Sequence, residues 1–265
     1  MGKIVAICNQ KGGVGKTTTA INLSVYIASL GKKVLLIDLD PQGNTTSGLG
    51  IDKQKLNNTI YEVLLEEITL EEIILPTSLE NLKIVPARLE LIGAEVELGR
   101  IERGQFQLKN SLEKIHSHFD FLFIDLPPSL GLLTVNGLTA AHSALIPVQC
   151  EYYALEGLSQ FLITLERIKQ AFNPFLSIEG ILLTMADQRT NLSQEVIAEA
   201  RQHFGKEVYQ TVIPRSVRLS EAPGFGKPVF LYAPESSGAL KYKQLAEEFL
   251  LRNAEVKVNF ISQNV

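Results

Sequence analysis

The stretch "AICNQKGGVGKTTTAINLS", residues 6–24, decides how the rest of the chain is read. Its end has the Gly-Lys-Thr of a phosphate-binding loop, at Gly15, Lys16 and Thr17. The first glycine of the usual G-x-x-x-x-G-K-[ST] pattern belongs at position 10, which is Gln10, and a second lysine, Lys11, follows it. The apolar run "KIVAIC" (3–8) precedes the loop and a helical period (15–30) follows it, so the loop joins a strand to a helix. Gly12, Gly13 and Gly15 allow a tight turn around Val14, in which several N–H groups face one anion. The start of the helix adds its positive dipole end. Lys16 suits β- and γ-phosphates, the Thr17 hydroxyl suits Mg²⁺, and Thr18 offers a further donor on the α-phosphate side. Lys11 has two readings on these residues alone. It is a solvated surface lysine, or it reaches a nucleotide in a second subunit, because two lysines would crowd one triphosphate.

Outward from the loop, short apolar runs alternate with helical periods. Strands are expected at 33–39, 82–87, 119–128, 143–149, 178–186 and 208–214. Helices are expected at 58–75, 89–99, 105–118, 131–141, 155–172, 193–204 and 237–253. This alternation implies an α/β fold: a single domain with a mostly parallel twisted sheet and helices on both faces, of the P-loop NTPase type. The 265 residues, 45% of them apolar, are enough for one large core. The domain is expected over 1–253, with 254–265 as a tail of unassigned structure. Ligands of such sheets bind beyond the carboxyl ends of the strands.

Three aspartates stand at those ends. "VLLIDLDPQGNTT" (34–46) carries Asp38 and Asp40, and "FLFIDLPPSLG" (121–131) carries Asp125. A carboxylate after an apolar strand commonly joins a Mg²⁺ shell, directly or through water, and Asp125 has that form. Asp38 and Asp40 alternate along their run, so both project towards one face. One supports the metal shell and the other orients water, and spacing does not separate them.

The formal charge of −4 excludes a wholly basic nucleic-acid coat, although not a local patch. Between residues 201 and 227 five basic residues stand against two acidic ones. That balance suits either DNA phosphates or a solvated face. His116, His118, His142 and His203 have no metal-ligand company, and Cys8 and Cys150 read as core residues. No run is long and apolar enough for a membrane span, and Lys3 leads straight into the first strand, so a cytoplasmic setting is expected.

"KGGVGKTT" resembles the deviant Walker A box of the ParA/MinD class of ATPases, whose signature is the extra lysine. "DLDPQGN", "ARLELIGAEVEL" (87–98) and "RLSEAPGFGKPV" (218–229) resemble the chromosomal ParA or Soj branch, and the likeness runs from residue 2 to about 250. The resemblance implies ATP and ADP as ligands, Mg²⁺ as cofactor, and a homodimer that sandwiches two ATP molecules. Lys11 would then contact the partner's nucleotide. Asp40 would position the hydrolytic water and Asp38 would belong to the outer metal shell. Met185, Pro214 and Arg215 would enclose adenine, Met185 being otherwise a core filler. Arg189 and Arg218 stand where partition ATPases carry DNA-contacting arginines. Non-specific double-stranded DNA and a ParB-type protein are the implied partners, with a nucleoid-associated location. A MinD-like membrane ATPase is the alternative within the class, yet the tail offers one lysine, Lys257, and a weak alternating pattern. A P-loop metabolic ligase, such as a dethiobiotin-synthetase-like enzyme, is the alternative outside it. No helix-turn-helix segment precedes the loop, so sequence-specific operator binding is not expected.

Overall fold

The computed structural model describes residues 2–187 and 189–262, with side-chain surroundings through 254. Seven strands form one sheet in the order β3-β4-β2-β5-β1-β6-β7. They are β1 (Lys3–Ile7), β2 (Val34–Asp38), β3 (Leu75–Pro76), β4 (Leu82–Val85), β5 (Phe121–Asp125), β6 (Ser143–Gln149) and β7 (Ser177–Thr184). Every pairing is parallel except the two-residue β3, which runs antiparallel to β4. The helices are α1 (Lys16–Ser29), α2 (Asn44–Gly48), α3 (Ile60–Leu64), α4 (Ala94–Leu98), α5 (Gln107–Glu113) and α6 (Leu132–Ala140). They continue with α7 (Ala154–Phe172), α8 (Asn191–Phe204), α9 (Val217–Glu221), α10 (Val229–Tyr232) and α11 (Ser237–Ser262).

Successive side chains of a strand point to opposite faces, so the apolar runs feed two cores. Ile4, Ala6, Leu35, Ile37, Leu122 and Ile124 face the layer that includes α3, α6 and α7. Val5, Ile7, Val34, Leu36, Phe121 and Phe123 face α1 and α11. On that second face Phe249 of α11 lies 5.2 Å from Phe121 and 5.5 Å from Phe123, ring centre to ring centre. The Tyr242 hydroxyl of α11 stands 3.0 Å from the Thr19 hydroxyl of α1. The helix carrying the phosphate loop is thereby fixed to the C-terminal helix. Strands β1 and β2 both pair with β5, which sets Ile7 and Asp38 level with Asp125.

Four expectations need correction. The expected helix over 58–75 is broken: α3 stops before Glu66, whose φ of 62° is left-handed. Thr69 and Glu72 then cap a separate 3-10 turn over Leu70–Ile73. The helices expected at 89–99 and 105–118 shrink to α4 and α5, flanked by 3-10 turns. The strand expected at 208–214 does not form as a continuous ladder: isolated bridges join Val208 to Ile181 and Pro214 to Ala186, and the N–H groups of Tyr209 and Ile213 donate to the carbonyls of Ile181 and Leu183. Between those two donors the Glu248 carboxylate takes the N–H groups of Gln210 (2.8 Å) and Thr211 (2.9 Å), of which that of Thr211 would have continued the ladder. Finally, α11 passes residue 253 and continues to Ser262, through a stretch without Gly or Pro. Residues 263–265 lie outside the described residues.

Phe249 is fully buried against two strands. Phe249→Ala should therefore cost about 3–5 kcal/mol of stability, read as a lower urea midpoint with little change in slope. A midpoint equal to wild type would contradict the role of α11 as a structural wall.

Candidate nucleotide-binding site

The segment from Cys8 to Gly15 leaves the end of β1 and returns into α1. Gly13 (φ 75°) and Gly15 (φ 90°) both adopt left-handed backbone, which a side chain would strain. Tethers hold the loop at both ends. The Asn9 amide donates to the Pro147 carbonyl (2.7 Å), and its oxygen accepts from the Lys11 N–H (3.0 Å). The Thr184 hydroxyl, at the end of β7, donates to the Val14 carbonyl (2.8 Å).

The two lysines lie in different environments. Lys16 is buried, and its Nζ spans the loop to donate to the Lys11 carbonyl (3.2 Å). Burial lowers its pKa, while Asp125 and Asp40 act in the opposite direction. The Lys11 side chain is 51% exposed and its Nζ lies 3.1 Å from Glu151 Oε2. An exposed pair of this kind is worth little, about 0–1 kcal/mol.

The carboxylates meet beside Thr17. Asp125 Oδ2 accepts from the hydroxyls of Thr17 (2.8 Å) and Thr45 (2.7 Å). Asp125 Oδ1 is buried and, among the described residues, has no hydrogen-bond partner. Burial is the main cause that pushes the Asp125 carboxyl up to about 6, against the hydrogen bonds from the two threonines. Asp38 is also fully buried, and burial followed by the charge of Asp125 pushes it up to about 7. Its Oδ2 accepts from the Thr46 N–H (2.8 Å) and hydroxyl (2.7 Å), and its Oδ1 from the Asp40 N–H (3.2 Å). Asp40 lies beyond the end of β2, and its Oδ1 accepts from the Gln42 N–H (2.9 Å). Asp38 thus clamps the turn that carries Asp40 and α2.

An orphaned buried carboxylate oxygen next to a threonine hydroxyl suits a hard cation. Among the described residues no group of three or more His, Cys, Asp or Glu side chains could hold a metal unaided. A Mg²⁺ ion would therefore complete its shell with water and phosphate, as this ion commonly does. Thr17 and Thr18 also line a cavity of about 380 Å³, together with Asn22, Asn44, Ser47 and Lys227.

The remaining residues singled out from sequence form two further groups. Met185 (φ 53°), Pro214 and Arg215 come together at the end of β7, where the Arg215 N–H donates to the Ala186 carbonyl (3.1 Å). Arg189 and Arg218 are exposed and locally paired, Arg189 with Asp187 (2.7 Å) and Arg218 with Glu221 (2.8 Å). Among the described residues neither arginine is hydrogen-bonded to the phosphate-loop cluster. Sequence reasoning missed Asn9, Thr45, Thr46, Glu151 and Thr184. For Thr45 and Thr46 a signal was present: two hydroxyls close behind the aspartates in "DLDPQGNTT".

A strand-to-helix phosphate loop with a second lysine, opposed by aspartates at two adjacent strand ends, defines a P-loop protein of the ParA/MinD type. A family model described as an AAA domain matches residues 2–178. The sporulation initiation inhibitor protein Soj of Bacillus subtilis is 55% identical over 248 residues, covering 94% of this chain and 98% of that protein. The chromosome partitioning protein ParA of Myxococcus xanthus is 51% identical over 253 residues, 96% of this chain and 89% of that one. Among solved structures, cobyrinic acid a,c-diamide synthase from Mycobacterium smegmatis, with bound ADP and magnesium, superposes with a TM-score of 0.84. It is 38% identical, and the match covers 96% of each chain. The chain belongs to the ParA/Soj family of partitioning proteins.

The raised carboxyls predict a pH effect. The folded-state pKa of Asp38 lies above its ordinary 3.8, so its contribution to stability is full below about pH 4 and is lost as pH rises through about 7. Without nucleotide, Asp38→Asn should therefore gain stability relative to wild type between about pH 4 and pH 7. Denaturant midpoints of the two proteins across that range check this; a constant difference refutes it.

Proposed function

We propose that this protein is a Mg²⁺-dependent ATPase, hydrolysing ATP to ADP and phosphate, that acts in chromosome or plasmid segregation. ATP closes a homodimer, the dimer binds DNA without sequence preference, and hydrolysis releases it. The observation that supports this reading is the contrast between the lysines: Lys16 is folded inside its own loop, while the half-exposed Lys11 is left out of it and held by a weak surface pair with Glu151.

Each residue then has a task. The N–H groups from Gly12 to Thr18 and the Lys16 ammonium bind the phosphates. Thr17 and Asp125 would hold Mg²⁺, with Asp38 supporting the site from behind through Thr46 and the Asp40 backbone. When bound, the ion neutralises charge on the β- and γ-phosphates. Asp40, fixed through Asp38 and Gln42, orients the attacking water. Met185, Pro214 and Arg215 flank the base. Arg189 and Arg218 exchange their weak surface pairs for DNA phosphates. A ParB-type protein stimulates hydrolysis, and the complex resides in the cytoplasm on the nucleoid. The resemblance to two chromosome partitioning ParA proteins at about half identity supports segregation, and the solved relative with ADP and magnesium supports the ligands. That relative carries the name of a diamide synthase, but its identity to this chain is lower than that of Soj and ParA.

Lys16→Ala should lose ATP binding in calorimetry with Mg²⁺, whereas Lys11→Ala should keep it and lose dimerisation or hydrolysis. Equal losses of ATP affinity in the two variants would place both lysines on one nucleotide and overturn the cross-subunit role.

Arg189→Ala and Arg218→Ala should weaken binding to two unrelated duplexes alike and leave ATP-dependent dimerisation intact. Each lost phosphate contact should lower the log–log salt dependence by about one unit. Affinity measured over a salt series decides; wild-type affinity and slope in both variants would reduce the patch to a solvated face.

A further inference from the structure

The turn that follows α9 presents an aromatic ring to solvent. Phe225 ends a 3-10 turn over Ala222–Phe225 and is 65% exposed. In "PGFGK" (223–227) it stands between Gly224 and Gly226, at the tip of the turn. The turn itself is fixed. The Gly226 N–H donates to the Pro223 carbonyl (3.0 Å) and the Lys227 N–H to the Ala222 carbonyl (3.2 Å). Gly226 (φ 61°) also lies against Gly50 (φ 80°), the second residue after α2: a Cβ on Gly226 would come within 2.9 Å of the Gly50 Cα. Only glycine at both positions permits this backbone contact. The ring is held as well. One face stacks on Tyr232 of α10, with ring centres 5.0 Å apart and planes 24° from parallel. The Tyr232 hydroxyl donates to Glu221 Oε2 (3.1 Å), the same oxygen that accepts from Arg218 (2.8 Å). Phe225, Tyr232, Glu221 and Arg218 thus form one chain of contacts across the surface, and exposed Lys227 lies two residues from the ring.

We propose that Phe225 is a second kind of DNA contact beside Arg218: its ring enters the minor groove of a duplex, while Arg218 and Lys227 hold the phosphates that border the groove. The proposal rests on the reading that Arg218 meets DNA. Charge favours this occupant over an apolar or basic one. From residue 216 to 232 Arg218 and Lys227 stand against the single acid Glu221, which already holds Arg218. The minor groove is narrow, about 6 Å across, so a single ring fills it and phosphates lie within reach on either side. Phenylalanine is one of the side chains that act there as wedges, partly unstacking a base step. Such a wedge senses how easily a step opens and not a pattern of donors and acceptors, which agrees with binding that has no defined sequence. A ring already stacked on Tyr232, on a turn already fixed at Gly50, loses little freedom when it makes the contact.

The test uses the full chain with Mg²⁺ and a non-hydrolysable ATP analogue. Phe225→Ala should weaken duplex binding about tenfold. Unlike Arg218→Ala, it should leave the log–log salt slope unchanged, because a ring neutralises no phosphate. Affinity for the analogue and the melting temperature should stay at wild-type values, since the ring is exposed. The chain contains no tryptophan, so Phe225→Trp puts a single fluorescent reporter on the turn. That variant should bind DNA as wild type does. Duplex should quench its emission, and a drug that fills the minor groove should reverse the quenching. Wild-type affinity in Phe225→Ala, or emission from Phe225→Trp that duplex leaves unchanged, overturns the proposal and leaves the ring to a protein partner. A Phe225→Ala salt slope lowered as in Arg218→Ala overturns it too, since the ring then only supports the arginine. So does a Phe225→Ala chain that loses the ATP analogue along with DNA, because the ring is then a prop for the nucleotide site. If Arg218→Ala itself keeps wild-type DNA affinity, the DNA reading fails, and this contact with it.

Discussion

The site is organised around the carboxylate of Asp125. It ends the strand that lies between β1 and β2, so it is level with the last residues of both. One of its oxygens joins Thr17 of the phosphate loop to Thr45 of α2, two segments that are otherwise separate in the chain. A buried carboxylate in a low-dielectric layer is costly unless it is paired, which is why its pKa is raised. The same burial leaves its second oxygen without a hydrogen-bond partner among the described residues, a setting that suits a hard cation. Burial, register and the two threonines therefore act on one group, and each piece of the site inherits its position from it.

The sheet supplies what that arrangement requires. A parallel sheet covered on both faces leaves its carboxyl edge as the natural opening. Helix α1 must hold still for Lys16 to span its loop, and it is fixed to α11 by the Thr19–Tyr242 contact and by their shared core. The Asn9 and Thr184 tethers then fix the loop against β6 and β7. Stability on the far side of α1 and geometry at its first turn are one problem.

Much of this was legible in the chain. Strands buried on both faces read as nearly unbroken apolar runs, and the expected strand at 143–149 coincides with β6. The loop announced itself by its glycines and its strand–helix setting, and the aspartates by their place after apolar runs. What escaped was decided by distant partners. The run 208–214 has strand composition, but Glu248 of a later helix takes the N–H groups of Gln210 and Thr211 and interrupts its ladder with β7. Asp38 and Asp40 look equivalent by alternation, yet β2 ends at Asp38, and Asp40 belongs to a turn that Asp38 holds. Glu151 is 140 residues from Lys11, a separation that no periodicity connects.

The Glu248 clip has a consequence for how copies of this chain can assemble. An open sheet with a bare edge invites another strand, and repeated addition leads to uncontrolled stacking. Here the border next to β7 is closed by a carboxylate that already occupies the amides of Gln210 and Thr211. The opposite border is a two-residue strand containing Pro76, which has no N–H to offer. Both rims are thus poor templates for backbone pairing. Higher-order contacts of this chain must then be made through side chains, which a bound ligand can rearrange, and not through a ladder that would propagate regardless of it.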